Sequence, residues 1–269
     1  MNKRVLSLTL LLACLGLMTM QAEGRKVESF NSGWSFKKAP AEKELAINAP
    51  KWDKGWSEVE IPHTWNAKDM QVQANSFYEG AAYYKKQYFF PAELKDKRVF
   101  LRFEGVGSCA EVFVNGMLVT SHKGGYSAFA CEISPLLKAG EENEIIVKAD
   151  NKSRPDVIPV NHNLFGVYGG IYRPVWLVVT EPCNISVTDC ASPGVYVTQK
   201  NVSKKQADVK VKVKLDNGTL QPVPVTLQNT IYDQEGKQVA THSQSFELSA
   251  QGEQAYESSF TIKKPTLWQ

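Results

Sequence analysis

Breaking a covalent bond in water calls for a proton donor and a base or nucleophile held side by side, so the carboxylates come first. Glu104 stands at the end of an apolar run, Glu111 alternates along a hairpin, and Glu141-Glu142 occupy a turn. Exposure accounts for each, and no spacing ties any two together. Four histidines, His63, His122, His162 and His242, are scattered and read as hydrogen-bonded structural residues. The chain has no phosphate loop, no nucleophile elbow and no His-Glu-x-x-His motif. No catalytic residue and no cofactor is assigned on this basis. Beyond the first 22 residues lie Cys109, Cys131, Cys183 and Cys190, with no Cys-x-x-Cys pair and no clustered histidines, so no metal site is expected either. The cysteines read as structural. A bridge between Cys183 and Cys190, which flank a short strand-like stretch, is open but unforced.

The most informative run is Gly169-Gly170-Ile171-Tyr172-Arg173-Pro174-Val175. The glycine pair lets the backbone turn where a side chain would clash. It follows a polar loop, Asn161–Tyr168, and leads into the apolar stretch Val175–Val179. Arg173, one step from that stretch, should need a fixed acceptor, because a charge near a core is costly when unpaired.

These residues must be positioned by strands. Apolar and polar residues alternate in short runs broken by Gly, Pro and Asn. Tyr83–Phe90, Arg98–Glu104, Glu144–Ala149 and Val175–Thr180 are such runs, and Asn115-Gly116 between Ala110–Val114 and Met117–Ser121 is a strong hairpin signal. Ser134-Pro135 could cap one short helical turn. About ten short strands between residues 27 and 181 predict a jelly-roll β-sandwich. Trp34, Trp52, Trp56 and Trp65 fall early in it and read as core rather than as a ligand platform. Glu181-Pro182 marks a boundary. After it come Ile185–Thr188, Val195–Thr198, Ala207–Leu215, Val223–Tyr232, Gln238–Leu248 and Gln254–Ile262, with turns at Asp216-Asn217-Gly218 and Asp233–Gly236. About seven strands in roughly 85 residues predict an immunoglobulin-like sandwich.

Composition agrees with an all-β globular chain. The 269 residues are 43% hydrophobic and 22% charged, with a net charge of +3 and both signs interspersed. That balance argues against nucleic acid as a partner, and Lys204-Lys205 with Lys210, Lys212 and Lys214 read as solvated strand faces. Residues 1–22 have the form of an export signal: Lys3 and Arg4, an apolar run from Val5 to Met18, then Met20-Gln21-Ala22. The expected organisation is a leader over 1–22, a jelly roll over 23–181 and an immunoglobulin-like sandwich over 182–269. The expected location is periplasmic or secreted. Leu11-Leu12-Ala13-Cys14 also resembles a lipoprotein box, which would anchor the chain through Cys14.

Several strings carry a resemblance. Pro62-His63-Thr64-Trp65-Asn66 comes first, then Tyr78-Glu79-Gly80-Ala81-Ala82-Tyr83-Tyr84-Lys85, Phe103-Glu104-Gly105-Val106 and Val112-Phe113-Val114-Asn115-Gly116. His122-Lys123-Gly124-Gly125-Tyr126-Ser127-Ala128-Phe129 follows, Asn143 and Asn151 bracket a strand, and Gly169–Arg173 closes the series. In this order and spacing they resemble the N-terminal region of glycoside hydrolase family 2, which includes β-galactosidases, β-glucuronidases and β-mannosidases. The resemblance covers about residues 27–269 and implies a jelly-roll sugar-binding domain, an immunoglobulin-like domain and a (β/α) barrel bearing both catalytic glutamates. Leu267-Trp268 matches the family's pair at the point where the barrel is expected to begin, so no catalytic residue falls within this sequence. Loops Asn66–Glu79 and Asn161–Tyr168 are implied to reach toward the sugar pocket, which makes Asn66, Asp69 and Asn163 the candidate sugar contacts. Relatives often carry an aspartate in the second loop, where Asn161 and Asn163 stand here; an amide accepts a hydroxyl without charge. Turn capping is the other reading of these asparagines, and His63 and Arg173 read as structural. The implied partners are a β-linked glycan and a barrel in cis or in trans, with self-association through an uncovered apolar face. The implied function is the non-catalytic front of an exo-β-glycosidase; the alternatives are a free-standing carbohydrate-binding protein and a purely structural module. The resemblance does not fix the sugar.

Overall fold

The computed structural model describes residues 24–39, 54–69, 77–160 and 166–267. Ten strands make up the first part: β1 (Lys26–Ser29), β2 (Trp34–Lys38), β3 (Ser57–Val59), β4 (Ala81–Phe90), β5 (Arg98–Phe103), β6 (Cys109–Val114), β7 (Met117–Lys123), β8 (Phe129–Glu132), β9 (Glu141–Asp150) and β10 (Val175–Thr180). They form a six-stranded sheet, β3-β2-β4-β9-β6-β7, and a four-stranded sheet, β1-β10-β5-β8. Every pairing is antiparallel.

Period-2 alternation sends one set of side chains inward from each sheet. Ala82 and Tyr84 of β4, Val112 and Val114 of β6, and Ile145 and Val147 of β9 meet Val99, Leu101 and Phe103 of β5 and Val175 and Leu177 of β10. All are buried, and each large apolar side chain removed from water contributes about 1.5–3 kcal/mol. Trp34 and Trp65 belong to this core, as their early clustering implied. Asn115 and Gly116 join β6 to β7 with φ of 50° and 80°, the geometry their sequence called for.

Six strands follow: β11 (Cys183–Ile185), β12 (Val195–Lys200), β13 (Gln206–Asn217), β14 (Val223–Tyr232), β15 (Gln238–Leu248) and β16 (Gly252–Lys263). β11 and β12 pair in succession with one edge of β13, and β16 pairs with the other. Opposite them β14 and β15 form a two-stranded sheet. Val211, Val213, Leu215, Leu248 and Phe260 are the buried centre of this second sandwich.

The two sandwiches are in direct contact. Val187 packs on Phe100 and Val178, on the outer face of the four-stranded sheet. Arg98 holds Glu132 through Nε (3.0 Å) and Nη2 (2.6 Å), and its Nη1 lies 2.9 Å from Asp216 of β13. Lys97 pairs with Glu181, and Arg102 Nε donates to the Ala191 carbonyl at 2.9 Å.

Several expectations need correction. Ser134 does not cap the 3-10 turn at Ser134–Leu136; its hydroxyl donates to Glu132 and accepts from the Val99 amide instead. Arg173 is exposed and lies over the Tyr172 ring, 5.8 Å from its centre, because the turn points its side chain away from β10. Asp216 and Asn217 extend β13 rather than forming a turn, because Cys183–Ile185 pairs with residues 215–217. Cys109, Cys131, Cys183 and Cys190 are free thiols, which answers the open question of a Cys183–Cys190 bridge. Trp52 lies outside the described residues.

Candidate functional site

Two loops separated by about a hundred residues meet at one end of the jelly roll. The segment leaving β3 passes beneath the Gly169-Gly170 turn. The His63 amide donates to the Ile171 carbonyl at 2.8 Å, and His63 Nδ1 lies 2.8 Å from the Tyr84 hydroxyl. Burial of the ring holds the His63 pKa below the ordinary histidine value, with nearby Lys38 acting the same way. The glycine pair is needed for this approach. A Cβ on Gly169 would fall 1.9 Å from the Trp65 ring, and one on Gly170, whose φ is +118°, would fall 2.5 Å from the His63 carbonyl oxygen.

Asn66 is the centre of the junction. Its side chain is fully buried. Nδ2 donates to Asp69 Oδ2 (2.7 Å) and to the Tyr78 carbonyl (2.9 Å). Oδ1 accepts from the Gly169 amide (2.8 Å) and from Asn151 Nδ2 (3.3 Å). Asn151, itself buried at the end of β9, also donates to the Val167 carbonyl at 2.8 Å and accepts from the Gly80 amide at 2.9 Å. Asp69 Oδ2 takes a second bond from the Tyr78 amide at 3.1 Å. Its Oδ1 accepts no hydrogen bond from any described residue, and Asp69 is half-buried. Two of the three sequence candidates therefore come together here, with unequal freedom: every polar side-chain atom of Asn66 is engaged, and one Asp69 oxygen has no hydrogen bond from the described residues. Asn163, like Asn161, lies outside the described residues.

The arrangement ties two loops together. Elsewhere among the described residues, two pairs of carboxylates each share one ion-paired cation. Glu132 and Asp216 both face Arg98, and Asp189 and Glu253 both face Lys214, at 2.7 and 3.1 Å. In each a cation fills the gap that a substrate would need. Hydrogen bonds from Lys214 and Tyr196 hold the Asp189 carboxyl below its usual range. Burial opposes the Glu132 carboxylate, but the Arg98 and Ser134 hydrogen bonds outweigh it and leave its pKa lowered. A general acid needs the opposite shift. Glu104 is not simply exposed as expected: it pairs with Arg102 and accepts from Trp176 Nε1 at 3.1 Å. No group of three potential metal ligands occurs among the described residues.

Comparison with known proteins decides the family. Residues 27–182 match the model for the sugar binding domain of glycosyl hydrolases family 2, and residues 193–269 match a second model of that family. The chain belongs to glycoside hydrolase family 2. A β-glucuronidase of Bacteroides fragilis is 40% identical over 214 residues, covering 78% of this chain and 30% of the relative. A β-glucuronidase of Formosa agariphila is 29% identical over 91% of this chain and 26% of its own. Among solved structures, one from Bacteroides fragilis described as a candidate β-galactosidase shares 70% identity, with a TM-score of 0.88 over 92% of this chain and 37% of that one. The β-glucuronidase of Bacteroides uniformis gives a TM-score of 0.83 at 29% identity, over 91% and 28%. The family 2 chain described here thus spans about a quarter to a third of the curated relatives, in their N-terminal part. Its fold is the jelly roll and immunoglobulin-like pair expected from the sequence.

Sequence reasoning missed Asn151, Tyr78 and Tyr84 as members of the junction. Their contacts cross from one loop or strand to another far away in the chain, and no local pattern encodes that.

Proposed function

We propose that the chain forms the N-terminal, non-catalytic portion of a β-galactosidase-like exo-β-glycosidase, in which the two sandwiches help frame the sugar pocket of a catalytic barrel supplied in cis or in trans. The observation that carries this reading is the Asn66 junction within a region matching the family's sugar-binding model. It ties Asn66, Asp69 and Tyr78 to the turn at Gly169 and leaves one Asp69 oxygen without a hydrogen bond from the described residues. In this reading Asp69 accepts a sugar hydroxyl, Asn66 is a positioning residue, and Asn163 supplies a second contact. The domains run 23–181 and 182–269. The names of the relatives divide between β-glucuronidase and β-galactosidase, so both sugars belong in the test.

A chimaera joining this chain to the remainder of the Bacteroides fragilis relative at 70% identity should hydrolyse an aryl β-galactoside or β-glucuronide. Asp69→Ala should lower its kcat/KM about tenfold or more, the worth of one hydrogen bond to a charged acceptor. An unchanged kcat/KM in a folded chimaera rejects the Asp69 contact. Export through a leader over residues 1–22 is part of the proposal, with the protein periplasmic or secreted. Mass spectrometry of the mature N-terminus separates cleavage after Ala22 from a lipidated Cys14.

A further inference from the structure

Beside the Asn66 junction, the jelly roll carries a cleft of about 300 Å³ lined by Thr64, Gly107, Gly125, Tyr126, Tyr168 and Tyr172. Three features give it the character of a binding site rather than a packing gap. Its aromatic walls face water: Tyr126 is 65% exposed and Tyr168 45%. Two phenol rings held open to solvent beside one cleft are an unusual use of apolar surface. Two of its walls, Tyr168 and Tyr172, are also fixed. Tyr168 stands edge-on to Phe77 at 5.9 Å, and the Tyr172 hydroxyl donates to the Gly125 carbonyl. The floor is backbone, where Gly107 and Gly170 exchange hydrogen bonds of 3.0 and 3.4 Å. Preformed walls spare a ligand the ordering cost of building its own site.

The chemistry of the lining narrows the ligand. Among the described residues no charged side chain lines the cleft, so an anionic or cationic ligand would lose its hydration without a partner from them. The Tyr126 and Tyr168 hydroxyls accept or donate no hydrogen bond among the described residues, and both remain available. Flat apolar faces with hydroxyls at their edges suit a ring having one C–H face and a rim of hydroxyls. The volume admits a ligand of about one ring.

We propose that this cleft binds a neutral pyranose unit of a glycan, stacked between Tyr126 and Tyr168, as a site separate from the Asp69 rim. The proposal goes beyond the pocket-framing role. It borrows only the glycan class from that reading and needs no barrel.

The test is amide chemical-shift mapping on the purified chain with three probes: methyl β-D-galactopyranoside, methyl β-D-glucopyranoside and methyl β-D-glucuronide. At least one neutral probe should shift the Gly107, Gly125 and Tyr168 amides in a saturable way, with a dissociation constant in the millimolar range. The charged probe should bind at least five times more weakly. Tyr126→Ala and Tyr168→Ala should each weaken the neutral probe at least fivefold. Tyr126 is a surface ring, so its variant should keep the wild-type melting temperature and report on binding alone. No saturable shift by either neutral probe overturns the proposal. So does preference for the glucuronide, or binding that survives both tyrosine substitutions. Failure here leaves the chimaera experiment untouched, and an inactive chimaera leaves this site standing.

Discussion

Replacing Asn66 by alanine should destabilise the first sandwich by about 3 kcal/mol, most of it traceable to two hydrogen bonds. Asn66 Oδ1 is the acceptor for the buried Gly169 amide; without it that donor is stranded, at a cost of about 1–3 kcal/mol. Loss of Nδ2 removes one of the two bonds received by Asp69 Oδ2, a further contribution of about 1.5 kcal/mol for a charged acceptor. The Tyr78 carbonyl suffers least, because Asn151 and the Trp65 indole still donate to it. Urea unfolding followed by tryptophan fluorescence is a suitable assay, since Trp34 and Trp65 lie in this core. With a slope of about 2–3 kcal/mol/M, the midpoint should fall by about 1 M. Asn66→Asp separates hydrogen bonding from cavity formation. The new carboxyl nearly matches the amide in size but faces the Asp69 carboxylate, so at pH 7 it should cost as much as alanine. Its folded pKa is raised above the unfolded value of about 3.9. The penalty is therefore absent below about pH 3.9 and develops as pH rises toward the folded value. A loss under about 1 kcal/mol for Asn66→Ala, or wild-type stability for Asn66→Asp at pH 7, refutes the reasoning.

Arg98→Leu should cost about 3 kcal/mol, because it leaves Glu132 and Asp216 without their shared cation at a site where the Arg98 side chain is only 13% exposed; faster proteolysis around residues 181–193 checks the loosened contact between sandwiches. The His63 pKa is lowered by burial, so the unfolded chain takes up the proton more readily; stability should fall as pH drops below about 6.5, and His63→Gln should flatten that slope in denaturant titrations from pH 7 to 5. The β14–β15 sheet has two strands, and only Leu248 among its residues is fully buried, so its amides should exchange with deuterium before those of β4 and β9. Val197, 59% exposed on the edge strand β12, and solvent-facing Ile158 and Val160 provide apolar surface for self-association; sedimentation should detect dimers at tens of micromolar, and a monomer throughout rejects this.

Strand identity was legible wherever alternation was bounded by a turn residue. The hairpin at Asn115-Gly116 is the clearest case, because Asn and Gly accept positive φ at little cost. Strand ends were less so: β9 begins at Glu141, three residues before its apolar alternation, because β4 supplies partners as far as Phe90. The glycine pair announced a close approach, and Trp65 and His63 are what it approaches. The character of Asn66 was hidden. An asparagine among polar residues reads as surface, and only bonds reaching across to Gly169 and Asn151 place it in the interior. Arg173 misled in the opposite sense, since adjacency to a buried strand in sequence does not fix which way a turn residue points.

The most direct test of the central claim is a turnover assay on the purified 269-residue chain with aryl β-galactoside and aryl β-glucuronide, followed over hours at millimolar substrate. The carboxylates brought together among the described residues each hold a cation between them, so release of the aryl alcohol should match buffer alone. Hydrolysis that scales with protein concentration and disappears on replacing a carboxylate of this chain would contradict the assignment of a framing role.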